Sequence, residues 1–218
     1  MKQIKHFSIA SIAKRPWLFV VCLCALAPVA VMAVSTTWKL YSFNASGHQL
    51  RSQKVAYDTA TNTVSFTFPE TPDAAYLTTV KVGAFGNLTG QTLKGTASIT
   101  ASPDATFAND PGCTGDTSTP TVGLFFTTKA TGQFDPSTYW WSSRRVPLSA
   151  LVNNPTALDT PLTAGLWTNY LGQTDPAGFA AAVMNVVDYG VSFGGDCFFA
   201  NGAGTPTGTA DFSLQVSP

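Results

Sequence analysis

Histidine is nearly missing from this chain of 218 residues: it occurs twice, and since His6 belongs to a basic N-terminal stretch, His48 stands alone in the remainder. Glutamate is scarcer still, with Glu70 its single occurrence. A zinc centre built on two or three histidines is thereby excluded, and any Ser-His or Cys-His nucleophile would have to recruit His48. Charge of either sign is thin, at 12 basic and 12 acidic side chains. Four of the basic ones (Lys2, Lys5, Lys14, Arg15) precede residue 34 and none of the acids does, so residues 34–218 carry eight basic against 12 acidic groups. Downstream of the leader the one adjacent basic pair is Arg144-Arg145. Without a dense Lys/Arg face to neutralise phosphates, a nucleic-acid partner is excluded. No P-loop pattern is present either.

What the chain does have begins with an export leader. Residues 1–16 are basic and polar, and residues 17–34 (WLFVVCLCALAPVAVMAV) are apolar throughout, with small residues at Val31 and Ala33. This reads as a signal peptide spanning 1–33, cleaved after Ala33. An uncleaved anchor is the alternative, since about 18 apolar residues can just cross a bilayer. Either way residues 34–218 are expected outside the cytoplasm, secreted or periplasmic, as one domain without a membrane partner.

Cysteine is also sparse. Cys22 and Cys24 fall in the leader, which leaves Cys113 and Cys197. In an oxidising compartment an isolated pair is most simply one disulfide.

In the body, short stretches alternate apolar and polar residues between Gly, Pro, Asn or Asp. Phe212, Leu214 and Val216 alternate with Asp211, Ser213 and Gln215; further stretches are 38–43, 64–68, 80–85, 96–100, 122–126, 139–146 and 189–193. Period-two alternation sets one row of side chains on a core and the other in water. Eight such stretches predict an all-β antiparallel sandwich. One stretch differs. Residues 176–187 (PAGFAAAVMNVV) follow Asp175 as an N-cap with Pro176 at the first helical position, and Phe179, Val183 and Val186 or Val187 fall at helical spacing, predicting one short helix. Residues 102–120, rich in turn formers and carrying Cys113, read as a surface loop.

The C-terminal half, about residues 120–218, resembles the galactose-binding-like jelly rolls, which include several carbohydrate-binding modules, discoidin-type domains and laminin IV-type domains. The resemblance lies in element order: the Trp-rich strand Tyr139-Trp140-Trp141-Ser142, the segment Leu158-Asp159-Thr160-Pro161-Leu162 with Trp167, the helix with Phe179, the strand 188–194 and the closing strand 209–216. It implies a jelly-roll sandwich with a carbohydrate ligand. In many of those modules a closing-strand acid helps hold a structural calcium ion, and Asp211 corresponds loosely to it.

The strongest candidate site is Tyr139, Trp140, Trp141, Arg144 and Arg145. Strand neighbours face opposite sides, so one tryptophan is expected in the core and the other outside. An exposed aromatic face suits stacking on the C–H face of a sugar, and an arginine can bond its hydroxyls. Trp38 and Trp167 are expected in the core. No cofactor is implied, although the loop acids Asp104, Asp110, Asp116, Asp188 and Asp196 could supply oxygens to a structural calcium ion. Glu70, in a Pro-Glu-Thr-Pro turn, is poorly placed for a buried acid, and His48 reads as a surface residue. The inventory points to an exported non-catalytic protein that binds a carbohydrate or other extracellular polymer. Two alternatives stay open: an adhesive surface protein acting through sheet edges, and an aspartate-dependent glycoside hydrolase.

Overall fold

In the computed structural model, which describes residues 37–43, 50–80, 84–110, 118–132, 134–196 and 198–216, the alternating stretches become strands. The chain divides into two units, Met1–Met32 and Ala33–Pro218, and all the described residues belong to the second. In chain order the strands are β1 Thr37–Phe43, β2 Leu50–Lys54, β3 Ala56–Asp58, β4 Thr63–Thr67, β5 Ala74–Val80 and β6 Thr92–Leu93. There follow β7 Gly95–Ala101, β8 Thr106–Asn109, β9 Thr121–Thr127, β10 Tyr139–Pro147, β11 Thr156–Ala157 and β12 Thr160–Pro161. β13 Trp167–Thr168 precedes the helix α1 Pro176–Val183, and β14 Asp188–Gly194, β15 Ala203–Thr207 and β16 Ala210–Val216 close the chain.

The strands pair antiparallel throughout, and the architecture is an all-β sandwich with one α-helix among the described residues. The larger sheet runs β13-β10-β9-β14-β5-β1-β2, with β15 and β8 attached beside β5. The smaller runs β11-β7-β16-β4-β3.

The smaller sheet behaves as simple alternation predicts. Phe212 sits opposite Phe66 and Ile99, and Leu214 opposite Val64 and Ala97. All six are buried. Between them, Thr63, Ser65, Ser98, Ser213 and Gln215 occupy the outward positions, partly or fully exposed. The larger sheet supplies Trp38, Leu40, Leu77, Leu124, Phe126, Trp140, Val191 and Phe193 to the same core. Rings meet in edge-to-face pairs there, as with Phe193 and Phe212 at 5.1 Å and 90°. Trp38 and Trp167 are core residues, at 2% and 0% exposure.

The larger sheet also buries its other face. Tyr41, Ala75, Tyr76, Phe125, Tyr139 and Trp141 form a second cluster, covered by Phe134 and by Phe198, Phe199 and Ala200 from the segment after β14. β5 and β9 are accordingly buried almost throughout, because a strand covered on both sides carries a continuous apolar or small-residue run. Close strand approach shows at Gly190, where a β-carbon would collide with the Leu77 carbonyl oxygen of the neighbouring strand.

Three expectations change. Of the expected strand at 80–85, residues 81–83 lie outside the described residues; Val80 instead ends β5, Ala74–Val80, and Phe85 lies in no strand; the run Ala74-Ala75-Tyr76-Leu77 hides its period because both faces are covered. Residues 102–120 hold β8, which pairs with β15, so that stretch is not all loop. The helix is shorter than 176–187. It stops at Val183 because Val186 pairs in extended form with Gly86 and Val187 donates to the Thr127 carbonyl. The N-terminal prediction holds: Asp175 caps the helix, its carboxylate accepting from Gly178 N at 3.0 Å, with Pro176 next.

Candidate functional site

A 3-10 turn, Pro136–Thr138, capped by Asp135, leads into β10 and sets its first residues in register with β9. Trp140 then points into the main core, parallel to Phe126 at 6.4 Å and edge-on to Phe179 at 5.5 Å. Tyr139 and Trp141 point the other way and stack on each other at 5.6 Å. All three are buried, at 0%, 5% and 0% exposure for 139, 140 and 141. The expected outward-facing aromatic therefore does not exist: the alternation is real, but Phe198 lies edge-on over Trp141 at 5.2 Å, and the Tyr139 hydroxyl is turned inward to donate to the Thr131 carbonyl at 3.0 Å.

The two arginines separate as well. Arg144 is exposed and donates from Nη1 to the Asp159 carbonyl at 3.1 Å. Arg145 folds across β9 and β14. Its Nε donates to Thr121 Oγ1 at 2.8 Å and its Nη1 to Ser192 Oγ at 3.1 Å, while Nη2 reaches the carbonyls of Phe199 (2.9 Å), Ser192 (3.2 Å) and Thr121 (3.3 Å). The guanidinium also lies 5.1 Å from the centre of the Phe199 ring. Burial pulls its pKa below the ordinary value, with Tyr76 and Asp196 opposing. Gly123 leaves room for this side chain, since a β-carbon there would press on Arg145 Cγ and Nη1 at 3.0 Å. Arg145 thus clamps the sheet to the 198–202 turn, which corrects its expected place on an open binding surface.

Trp140, one of the five predicted residues, lines an opening. A cleft of about 520 Å³ lies against α1, with Trp140 as its buried lining and Ser137, Asn169, Tyr170, Asp175 and Asn185 around it. Tyr170 is 42% exposed and the neighbouring Leu171 is 59% exposed. Their turn is built on Asn169: its side-chain oxygen accepts from Leu171 N at 2.9 Å and Gln173 N at 3.1 Å, and Gly172 completes it at φ +71°. An asparagine-organised turn holds an aromatic out from the surface where no strand or helix face can bury it. Asp175 spends one oxygen on the helix cap, and Asn185 spends its amide on the Ala181 carbonyl at 3.2 Å. Asp175 Oδ2, the Asn169 amide nitrogen and the Asn185 side-chain oxygen make no hydrogen bond among the described residues. The cleft therefore joins an aromatic surface to uncommitted donors and acceptors. Asp175 is its one carboxylate, whereas a glycosidase uses two facing carboxyl groups.

Sequence reading missed Tyr170, Asn169, Asp175 and Asn185 as site residues. The available signal was the run Asn169-Tyr170-Leu171-Gly172, in which large apolar side chains sit between turn formers.

No group of three His, Cys, Asp or Glu among the described residues could hold a metal ion. Asp104 accepts from Ser102 Oγ, and Asp211 accepts from Thr67 Oγ1. Asp188 is buried at the start of β14, where one oxygen accepts from both Thr131 N (2.8 Å) and Thr131 Oγ1 (3.0 Å). Burial raises its pKa above the usual carboxylate value, against the pull of those two bonds. His48, Cys113, Asp116 and Cys197, with the leader, lie outside the described residues. Comparison of the chain with protein-family models, with curated proteins and with solved structures gives no match.

Proposed function

We propose that residues 34–218 form an exported, non-catalytic domain that binds a carbohydrate or similar extracellular polymer, and that the cleft beside α1 is its site. The supporting observation is Tyr170, held out by the Asn169 turn beside a cleft lined by Trp140 and by uncommitted polar atoms of Asn169, Asp175 and Asn185. The exposed ring offers an apolar face for the C–H face of a pyranose, and the amides and carboxylate suit its hydroxyls. The element order that resembles galactose-binding-like jelly rolls supports the same class of ligand.

Assembly through strand edges has less support. The edge strand β2 exposes Arg51 and Lys54, the edge strands β3, β11 and β13 are two or three residues long, and β8, paired among the described residues with β15 alone, has four. Charges and short strands both blunt edge-to-edge pairing.

A glycan array followed by depletion on insoluble polysaccharides tests the proposal. Binding should fall at least about tenfold in Tyr170→Ala with thermal unfolding unchanged. Retention of full binding by that variant, or no binding to any glycan by the parent protein, overturns it.

A further inference from the structure

A second cleft, of about 440 Å³, opens where Tyr189 meets the segment from Phe85 to Lys94. We propose that it binds a sugar carrying a carboxylate, of the hexuronate class. This site is independent of the Tyr170 cleft.

Its frame is made by the backbone. Gly86 and Val186 exchange hydrogen bonds of 2.9 and 3.0 Å, and Leu88 N donates to the Val183 carbonyl at 2.9 Å, which fastens the segment to the end of α1. Gly86 and Gly90, at φ +78° and +77°, supply the turns. Downstream, Thr92–Leu93 pairs with β12, and Leu162 N donates to the Gln91 carbonyl at 2.9 Å. On the other wall, Tyr189 N donates to Thr79 Oγ1, and its carbonyl accepts from both Thr78 Oγ1 and Thr79 Oγ1 at 3.1 Å. The walls are tied down on both sides.

The side chains provide two kinds of contact. Phe85 and Tyr189, each half-buried, meet at 4.8 Å and 64°, and Trp38 braces Tyr189 edge-on at 6.4 Å. Together they give the cleft an apolar wall. Across from it, Gln91, Thr92 and Lys94 make no side-chain hydrogen bond among the described residues. Lys94 is the one charged residue of the lining, and the single ion pair among the described residues is Lys129 with Asp135. Asp159 accepts from the amide of the residue after Lys94, Gly95 N, at 3.2 Å. Among the described residues of the lining, one ammonium beside an aromatic wall matches one carboxylate on a ring.

Two-dimensional NMR titration of the purified protein with glucuronate, glucose and benzoate at physiological salt tests the site. Glucuronate should shift the amides of Gln91, Lys94 and Tyr189 and bind about fivefold tighter than glucose, the scale of one exposed ion pair. Lys94→Gln should bring glucuronate down to the level of glucose with circular dichroism and thermal unfolding unchanged, and Tyr170→Ala should leave glucuronate binding intact. Equal binding of glucuronate and glucose overturns the proposal, as does indifference to Lys94→Gln. Benzoate binding as tightly as glucuronate overturns the sugar class. Shifts confined to Trp140 and Tyr170 would assign glucuronate to the other cleft and also overturn it.

Discussion

The backbone amide of Asp196 donates to the Ser118 hydroxyl at 2.9 Å, joining two points 78 residues apart. Asn109 reaches the Ser118 carbonyl at 2.8 Å, and Asp110 N donates to the Gly202 carbonyl at 3.2 Å. These contacts bracket Cys113 on one segment and Cys197 on the other.

The first prediction follows from that bracket. If the chain is exported, Cys113 and Cys197 should form a disulfide, so the unreduced protein should resist alkylation and reduction should lower its unfolding temperature. Closing a loop of roughly 85 residues stabilises by about 4 to 5 kcal/mol in the chain-entropy model. Mass spectrometry after alkylation without reductant decides the matter: two alkylated cysteines on the mature domain would refute it.

Asp188 makes stability depend on pH. Its folded pKa lies above the unfolded value of about 3.9, so the folded state favours the protonated acid. That stabilisation is complete below the unfolded pKa and is lost as pH rises through the folded one. Asp188→Asn, which keeps the acceptor for Thr131, should raise the urea midpoint at pH 7, and the advantage should vanish in acid. A variant less stable than the parent at pH 7 would contradict this account.

Trp141→Ala should cost about 3 to 5 kcal/mol in urea unfolding, because it empties a fully buried site under Phe198 and Phe199. Loss of ligand binding in that variant would reflect unfolding. Tyr170→Ala should change stability by less than about 0.5 kcal/mol.

Arg145→Met should destabilise by about 3 kcal/mol or more, since it strands the carbonyls of Thr121, Ser192 and Phe199 together. Lysine should not rescue it, because a point charge cannot span acceptors on three segments. Arg144→Ala should stay within about 0.5 kcal/mol in the same urea titration.

The alternation at 211–216 was enough to place β16, and with it the outward row Asp211, Ser213 and Gln215, because that sheet has one dry face and one wet one. The same rule misjudged Tyr139 and Trp141. It names which residues share a side of a strand, and it cannot say whether that side meets water. Phe198 and Phe199, more than 50 residues away in sequence, cover the face. Arg145 was misread for a related reason: its acceptors lie on β9, on β14 and beyond, and no local pattern announces carbonyls brought in from three segments.

The cleft beside α1 shows the same division. Asp175 was legible as a helix cap because capping is local chemistry between a side chain and the next turn. That Tyr170 stands beside Trp140 was not, since 30 residues and several elements separate them. By itself the sequence determined the scarcity of histidine and glutamate, the all-β class and the single helix, all of which follow from composition and short-range periodicity. Tertiary structure alone decided which aromatics are dry and which face solvent, because burial depends on what distant segments lay over a surface.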